Sequence, residues 1–494
     1  MRRCEIILFT LLYLVMGCSP VGPNYQRKDA AVPSGFGSLE KGVTTGDPVG
    51  LKLLTSWWKI LQDPVLDSLM DRAVRGNQDL RIAQARVQEV RALSMVVSSQ
   101  LYPDGGFTAL YERVQRTEAG STGQTSSGGP KPGIPLASTD RQTNFFLVGF
   151  DASWEIDIFG GVRRQIEAAD HDLSASVDTL RDTLVTLQGE VARNYIEYRG
   201  QQLRLKIARQ NVQARQENVE ITGARVQAGF VSELDLTRAR GELASAEARI
   251  PFLENLLMAT LYRLGVLLGL EPMTLVTELQ ASAELPQIPE NLPAGLPSDL
   301  LRRRPDIRRA EREVAAATAR IGVATAELFP KFSLSGSFDF QTNQLSQLFR
   351  SSNNFWLIGP AMHWPILNFK RILASIDVTK AVREETLARY EKVVLLSLEE
   401  VENALVLLWQ EKRRMEALEG SVRANELAVQ LAMERYVAGL QTYLAVTDAE
   451  GALYTAQDEL AQSRQNHAIG FVALYKALGG GWLDIYGTVD ETIR

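Results

Sequence analysis

The chain has 494 residues and a formal net charge of −6 at pH 7, with 45% hydrophobic and 23% charged residues. A mildly acidic chain without a basic stripe argues against a nucleic-acid partner. No run of eighteen apolar residues follows the N-terminal segment. We therefore expect no helical membrane span, and any membrane crossing would use β-strands.

The first residues have the pattern of an export signal. Arg2 and Arg3 precede the apolar run Ile6–Met16, which is too short to span a bilayer as a mature helix. The run leads directly into Gly17 and Cys18, an arrangement that resembles the lipobox of bacterial lipoproteins. An ordinary secretory signal with an incidental cysteine is the alternative.

The lipobox resemblance implies that residues 1–17 are a signal peptide and that Cys18 carries a covalent lipid. Ser19 follows where an aspartate would favour the inner membrane, so the pattern indicates the outer membrane. Residues 18–60 would then form a lipidated N-terminal segment. Cys4 would be removed with the signal, so the mature chain could form neither an internal disulfide nor a cysteine metal site.

Residues 146–269 reappear at 356–479, displaced by 210 positions. A repeat of this length indicates one supersecondary assembly used twice. We place the first structural repeat at 61–285, a Pro-rich linker at 286–297, the second repeat at 298–482 and a tail at 483–494.

Each repeat is predicted to contain a helix, two strands and a long helical hairpin. Phe332–Phe340 alternates strictly between apolar and polar residues, as expected of a strand with one apolar face. Pro360 should mark a bulge or a missing ladder bond, and Thr117–Thr143 should be a long exposed loop. Trp154 and Trp364 suit interfacial positions of membrane strands. The predicted strands are about 106–116, placed by symmetry, 144–156, 331–341 and 354–366.

The helical hairpins carry heptad repeats, which predict coiled-coil-like packing. No breaker is found between about 161 and 226, and such a helix reaches about 100 Å. The apolar stripes consist of Leu173, Val177, Leu180, Leu184, Leu187 and Val191 in the first copy, and Leu387, Val394, Leu398, Val401, Leu405 and Leu408 in the second. The other predicted helices are about 63–100, 233–269, 298–328 and 443–478.

Turn residues are predicted where each hairpin reverses. Gly229 and Gly439 suit the left-handed position after a helix. Ser232 with Asp235 matches a capping box, and Thr442 can cap the corresponding helix. Pro251 should kink its helix or mark a junction.

The sequence lacks the motifs of common enzymes, including a phosphate-binding loop, a nucleophile elbow and a metalloprotease motif. His171, His363 and His467 are scattered and have no metal-ligand spacing. We therefore expect neither catalysis nor a metal site, and no cofactor other than the lipid on Cys18.

With these elements the chain resembles the outer-membrane efflux proteins of the TolC class, specifically the NodT-type lipoproteins. The matching segments include Trp57-Trp58, Asp63-Pro64, Arg303–Ile307 and Leu474–Trp482. The resemblance implies a mixed α and β membrane protein. It would be a homotrimer with one twelve-stranded outer-membrane barrel, four strands per chain, continued by a periplasmic helical barrel with an equatorial domain.

The resemblance also implies a function. The protein would export drugs or other small molecules passively, receiving them from an inner-membrane pump through a periplasmic adaptor. A type I protein secretion channel and a non-channel coiled-coil lipoprotein scaffold are the alternatives.

Site residues follow from the same resemblance. Leu444 and Asp448 match the segment that closes the family's periplasmic aperture, with Arg238 as a candidate partner for Asp448. Gly451 stands where the family often carries an arginine. The hairpin tips should face the adaptor, and their repeated residues are Arg225, Gly229, Arg435 and Gly439.

Overall fold

The computed structural model describes residues 19–27, 32–37, 43–44, 55–115, 142–289, 292–293 and 301–482. The predicted signal peptide, Cys18, the tail 483–494 and most of the predicted loop at 117–143 lie outside the described residues. Within the described part, the fold combines an antiparallel sheet with very long helices, which confirms the mixed α and β class.

Four long strands form one antiparallel sheet in the order β2-β3-β5-β6. All four predicted strands are confirmed, including the one placed only by symmetry. A short parallel pair, β1 with β4, lies partly in the predicted linker and was not anticipated. The strands are β1 Val43–Thr44, β2 Asp104–Gln115, β3 Gln142–Ile156, β4 Leu292–Pro293, β5 Lys331–Thr342 and β6 Asn354–His363.

Strand β6 ends earlier than predicted and decides between the two alternatives for Pro360. It ends at His363 rather than at 366, close to Pro365, which has no N–H to donate to a ladder. Of the two alternatives predicted for Pro360, the bulge is absent, because the register between β5 and β6 is continuous and Pro360 faces Leu334. The missing ladder bond applies, since proline has no N–H to donate. A proline is tolerated there because β6 is an edge strand of the four-stranded sheet.

The sheet exposes large apolar side chains on one face. One row crosses all four strands through Phe107, Phe150, Phe338 and Trp356, whose exposed fractions lie between 45% and 68%. The neighbouring row on the other face consists of Gly106, Asp151, Ser337 and the exposed Leu357. Contiguous exposed apolar surface of this kind marks a membrane or protein contact.

The helices follow the predicted order with one correction. The helix predicted at 63–100 is two helices, broken at Asn77, whose backbone is extended. The Asn77 side chain accepts from the Leu80 N–H and donates to the Leu267 carbonyl, so it satisfies groups on both sides of the break. The helices are α1 Pro64–Gly76, α2 Gln78–Ser98, α3 Gly161–Gln227, α4 Glu233–Leu267, α5 Val276–Leu279, α6 Pro305–Ala326, α7 Phe369–Val437 and α8 Tyr443–Ala477.

The two longest helices, α3 and α7, contain 67 and 69 residues. Their heptad stripes are largely buried, with Leu184, Val191, Val401 and Leu405 fully enclosed. Helix α4 continues through Pro251, so this proline does not mark a junction between helices. Helix α6 begins at Pro305, several residues later than predicted.

One helix has the length and composition of a membrane span. Helix α4 contains an 18-residue window with a mean hydropathy of 1.2, of which 28% is buried, and so meets the length and composition of a span. Helices packed in bundles share this composition. Within α4, Glu254 pairs with Arg209 of α3 at 2.9 Å, which is a helix-packing contact.

The chain divides into two compact units, and each combines residues of both repeats. The first comprises 88–174 and 312–388 with the described residues of 1–27; the second comprises the described residues of 28–87, 175–311 and 389–494. The first unit holds the four-stranded sheet, and the second holds the hairpin tips.

The segments that carry the family resemblance meet in the core of the second unit. Trp57 stacks on Tyr475 with ring centroids 5.8 Å apart. The buried Arg304 pairs with Asp306 at 2.7 Å and donates to the Ala477 carbonyl at 3.0 Å. The Trp482 indole donates to the Arg303 carbonyl at 3.0 Å. These segments therefore act as structural joints between distant parts of the chain.

Candidate functional site

Both hairpin tips end in the same hydrogen-bonded turn. Gly229 and Gly439 have φ angles of +76° and +73°, which confirms the predicted left-handed positions. The Phe230 N–H donates to the Arg225 carbonyl at 2.9 Å, and the Leu440 N–H donates to the Arg435 carbonyl at 2.8 Å. With the second bond from each glycine N–H, this is the Schellman arrangement that satisfies the last carbonyls of a helix.

The caps of the return helices differ from the prediction. Ser232 and Thr442 occupy the N-cap positions with extended backbones, but neither side chain caps its helix. The Ser232 hydroxyl instead lies 3.4 Å from an Asp235 carboxylate oxygen. The capping-box prediction is therefore wrong in its hydrogen bonds, although the helix starts are correct.

Arg225 joins the two tips of one chain. Its Nη1 donates to the Val437 carbonyl at 2.8 Å, and its guanidinium lies 4.8 Å from the centre of the Tyr436 ring. It also lies 5.9 Å from the Phe230 ring. These contacts of the Arg225 guanidinium with one carbonyl and two aromatic rings stabilise the pairing of the tips, and we call them the clasp.

Arg435, the counterpart of Arg225 in the second repeat, is exposed and has no such clasp within the described chain. Phe230 and Tyr436 correspond to Leu440 and Val226 in the opposite copies, so the aromatic partners are not repeated. The two tips therefore share a turn but differ in their side-chain contacts.

An apolar cluster of buried side chains packs next to the hairpin tips. Its buried members are Ala239, Ala432, Tyr436, Tyr443 and Val446.

Glu450, one turn beyond Val446, is also buried and accepts a hydrogen bond from Asn218. The second oxygen of Glu450 has no hydrogen-bond partner among the described residues. Nearby, Arg215 pairs with Glu242 at 2.6 Å.

The environment of Glu450 favours its neutral form. Burial raises the pKa of the Glu450 carboxyl, and Glu242 adds to the increase, whereas Asn218 and Arg215 oppose it. Sequence analysis did not find this group. A comparison of the repeats could have done so, because Glu450 and Asn218 correspond to Arg240 and Ala428 in the opposite copies.

The predicted aperture residues lie on the outer side of this cluster. Leu444 is 47% exposed and Asp448 is also exposed, one turn further along α8. Tyr443, Val446 and Glu450 face inward from the same helix. Leu444 and Asp448 thus share one solvent-facing strip of α8.

Arg238 is exposed near the start of α4, on the other hairpin. Among the ion pairs of the described residues within one chain, none joins Arg238 to Asp448. The single chain therefore brings Leu444 and Asp448 onto one strip of α8.

Trp154 and Trp364 occupy equivalent places at one end of the sheet. Their indole N–H groups donate to the carbonyls of Leu101 and Leu328, at 2.9 Å and 3.0 Å. Both carbonyls belong to the short segments that connect a helix to a strand. At this end the strands join the helices, whereas Gln115 of β2 pairs with Gln142 of β3 and Phe340 of β5 with Asn354 of β6 at the opposite end.

Comparisons with known proteins agree with this architecture. The model of the outer membrane efflux protein family matches residues 69–270 and 296–480. The pyoverdine export outer membrane protein OpmQ of Pseudomonas putida is 34% identical over 482 residues, 97% of each chain. The toluene efflux pump outer membrane protein TtgC, from another strain of Pseudomonas putida, is 29% identical over 498 residues, 99% of this chain and 98% of its own.

A solved structure of the outer-membrane channel OprN is 35% identical and superposes with a TM-score of 0.83, covering 94% of this chain and 99% of its own. A sheet with an exposed apolar face, long paired helices and this likeness define an outer-membrane efflux channel. The chain belongs to the outer membrane efflux protein family, which confirms the resemblance found in the sequence.

Proposed function

We propose that three copies of this chain form the exit duct of a tripartite efflux system. The open sheet is the observation that carries this proposal. Within the described residues, β2 and β6 each pair on one side only. Unpaired strand edges in lipid would leave backbone groups without partners, and four strands are too few to close a barrel. Three chains supply twelve strands and remove every edge.

The cargo is a small molecule delivered by an inner-membrane pump through a periplasmic adaptor. Two relatives of similar identity are named for different cargoes, pyoverdine and toluene. This supports a duct with low substrate selectivity, in which the pump selects the cargo. Antibiotics and other drugs are suitable first substrates to test.

The aperture is formed by the solvent-facing strip of α8. In a trimer, three copies of Leu444 would form an apolar ring and three copies of Asp448 an acidic ring. Like charges at a constriction attract cations and repel one another. Arg238 lies on α4 and Asp448 on α8. These two residues would form an ion pair only in the assembled trimer.

The hairpin tips face the adaptor, and Cys18 carries the lipid. Gly229, Gly439 and Arg435 are exposed at the tips. Arg225 is partly buried in its clasp, and we assign it the role of holding the two tips of one chain at a fixed spacing for that partner.

The sequence leaves two alternatives to a drug-efflux duct. A non-channel scaffold would leave the exposed apolar row of the sheet without a role, so the observations favour a duct. The secretion alternative differs from drug efflux in its cargo and its adaptor, so a test of the cargo distinguishes the two.

The decisive experiment measures purified full-length protein in planar bilayers and its mass in detergent. We expect trimers with discrete ion conductance, and restored drug resistance in a strain that lacks its own channel. A stable monomer without conductance would overturn the proposal. Conductance without restored resistance, together with secretion of a protein substrate, would favour the secretion alternative.

A further inference from the structure

A cavity of about 810 Å³ lies in the second unit, beside the segment that follows α5. We call residues 282–289 the cover segment. Side chains of α3, α7 and α8 line the rest of the cavity. Its volume lies within the range of small-molecule sites, about 300–1,000 Å³. Its lining includes the apolar Leu203 and Met415 and the charged Lys206, Glu284, Glu419 and Arg464.

A smaller chamber of about 150 Å³ adjoins this cavity, because Ile288, Met415 and His467 line both volumes. The remaining lining residues of the smaller chamber are Pro289, Leu408, Trp409 and Lys412. The two volumes therefore form one site. We call the smaller volume the inner chamber and the larger one the outer chamber.

The inner chamber is lined by a cation and by no carboxylate of the described residues. Lys412 has no ion pair within the described chain, and its Nζ lies 5.8 Å from the centre of the Trp409 ring. Burial and Lys412 lower the pKa of His467, whereas Glu411 opposes them, so this imidazole is neutral at pH 7. Glu411 itself accepts from the Ser463 hydroxyl of α8 at 2.6 Å and does not line the chamber. The positive charge of Lys412 is thus unbalanced there.

The outer chamber differs because its lining charges have both signs in equal number. Arg464 pairs with Glu419 at 3.0 Å. Lys206 of α3 and Glu284 of the cover segment add one charge of each sign. A molecule that enters both chambers therefore meets a cation at the inner end and a neutral, partly apolar surface at the outer end.

The internal repeat shows that the inner chamber belongs to the second copy alone. Under the displacement of 210, three residues of α3 correspond to three of α7: Tyr198, Arg199 and Gln202 to Leu408, Trp409 and Lys412. The three α3 side chains donate to the carbonyls of Leu279 and Ala281, directly before the cover segment, at distances from 2.8 to 3.1 Å. Their α7 counterparts make no such bonds within the described chain, and the Trp409 indole N–H is buried without a partner there. Polar contacts occupy this position in the first copy, and a chamber remains in the second.

We propose that this cavity binds an aromatic carboxylate, with the carboxylate group at Lys412 and the apolar body extending past Met415 into the outer chamber. The lysine ammonium is a compact charge with three donors and suits a single carboxylate. The Trp409 ring and the Met415 thioether provide the polarisable surface that an aromatic body favours. All lining residues belong to one unit of one chain, so the inference does not depend on the proposed duct.

Binding is tested with para-trifluoromethylbenzoate, measured by fluorine NMR on full-length protein in lipid nanodiscs. The uncharged para-trifluoromethylbenzamide is the matched probe, and empty nanodiscs correct for partition into lipid. We expect the parent to bind the acid at least about tenfold more tightly than the amide, because only the acid offers a charged acceptor to Lys412. Equal affinity for the two probes, or no binding beyond that of empty nanodiscs, would overturn the inference.

Substitutions at one position identify the group responsible. Lys412→Gln should bind acid and amide equally, and Lys412→Arg, which keeps the charge, should retain the preference for the acid. Lys392→Gln is the matched control, since Lys392 is an exposed lysine of the same helix that does not line the cavity. A preference for the acid that persists in Lys412→Gln would overturn the inference.

The position of the probe is tested with a diazirine derivative of the same benzoate. Cross-links mapped by mass spectrometry should fall in the cover segment and in residues 408–415 of the parent, and should be lost in Lys412→Gln. Cross-links confined to other segments would place the probe elsewhere and overturn the inference.

Discussion

Glu450 is the buried carboxyl closest in sequence to the proposed aperture strip. Its folded pKa is raised, so the folded chain binds a proton more tightly than the unfolded chain does. Stability associated with this group is present below the unfolded value of 4.5 and is lost as pH rises through the raised folded value.

We therefore expect Glu450→Gln to flatten this pH dependence and to stabilise the tips at neutral pH, since glutamine can still accept from Asn218. The measurement is hydrogen exchange of residues 215–240 and 432–450 between about pH 5 and 8, a range that spans the rise of a carboxyl pKa on burial. Glu254→Gln, which alters a partly exposed carboxylate of α4 paired with Arg209, serves as the control. A profile of Glu450→Gln identical to the parent would contradict the prediction.

Asp448 is expected to govern ion passage through the proposed aperture. Asp448→Ala removes one charge per chain from a trimeric ring and should reduce cation selectivity and alter single-channel conductance, most strongly at low salt where charges are least screened. Reversal potentials in asymmetric salt provide the measurement, with Glu254→Ala as an acidic control away from the strip. Matching values for Asp448→Ala and parent across pH and salt would show that Asp448 does not line the aperture.

At the scale of elements, the two tips should respond differently to loss of their arginines. Arg225→Ala removes a hydrogen bond and two aromatic contacts, which together contribute about 1–2 kcal/mol. We expect faster hydrogen exchange at both tips of the chain. Arg435→Ala is the matched variant and should leave the contact between the two tips of one chain intact. Equal effects of the two substitutions on that exchange would show that Arg225 is not the clasp.

The glycine turns are expected to be sensitive to backbone conformation alone. A Cβ at Gly229 or Gly439 would meet open space, so the cost of Gly229→Val or Gly439→Val, about 1–2 kcal/mol, comes from the left-handed backbone. Each variant should insert in the outer membrane but restore drug resistance poorly. Gly241→Val also places a side chain in open space, within a regular helix, and serves as the control. Full resistance in both tip variants would contradict an adaptor-facing role.

At the scale of the whole molecule, the sheet rather than the lipid should hold the protein in the membrane. A single lipidated residue gives weak attachment compared with a closed barrel. Cys18→Ser behind a cleavable non-lipoprotein signal should therefore retain measurable trimer and efflux. Membrane fractionation and drug accumulation provide the readouts. Complete loss of membrane-inserted protein, despite correct export, would show that lipidation is required for assembly.

Elements whose signal is local could be predicted from the sequence. The alternation in Phe332–Phe340, the heptads of α3 and α7, and the glycines at 229 and 439 each specify a backbone conformation through neighbouring residues. The repeat then located the strand at Asp104–Gln115, which alternates poorly. These features were predictable because period and turn chemistry do not depend on distant partners.

Features that depend on residues far apart in the chain could not be predicted and became apparent from the folded packing. At the helix break, the Asn77 amide donates to the carbonyl of Leu267, 190 residues away, and the buried Glu450 accepts a hydrogen bond from Asn218 of another helix. Lys412 resembles any helical lysine in the sequence, and packing places it at a cavity. A side chain's burial and partners are set by packing between distant segments, and such packing leaves no periodic trace in the sequence.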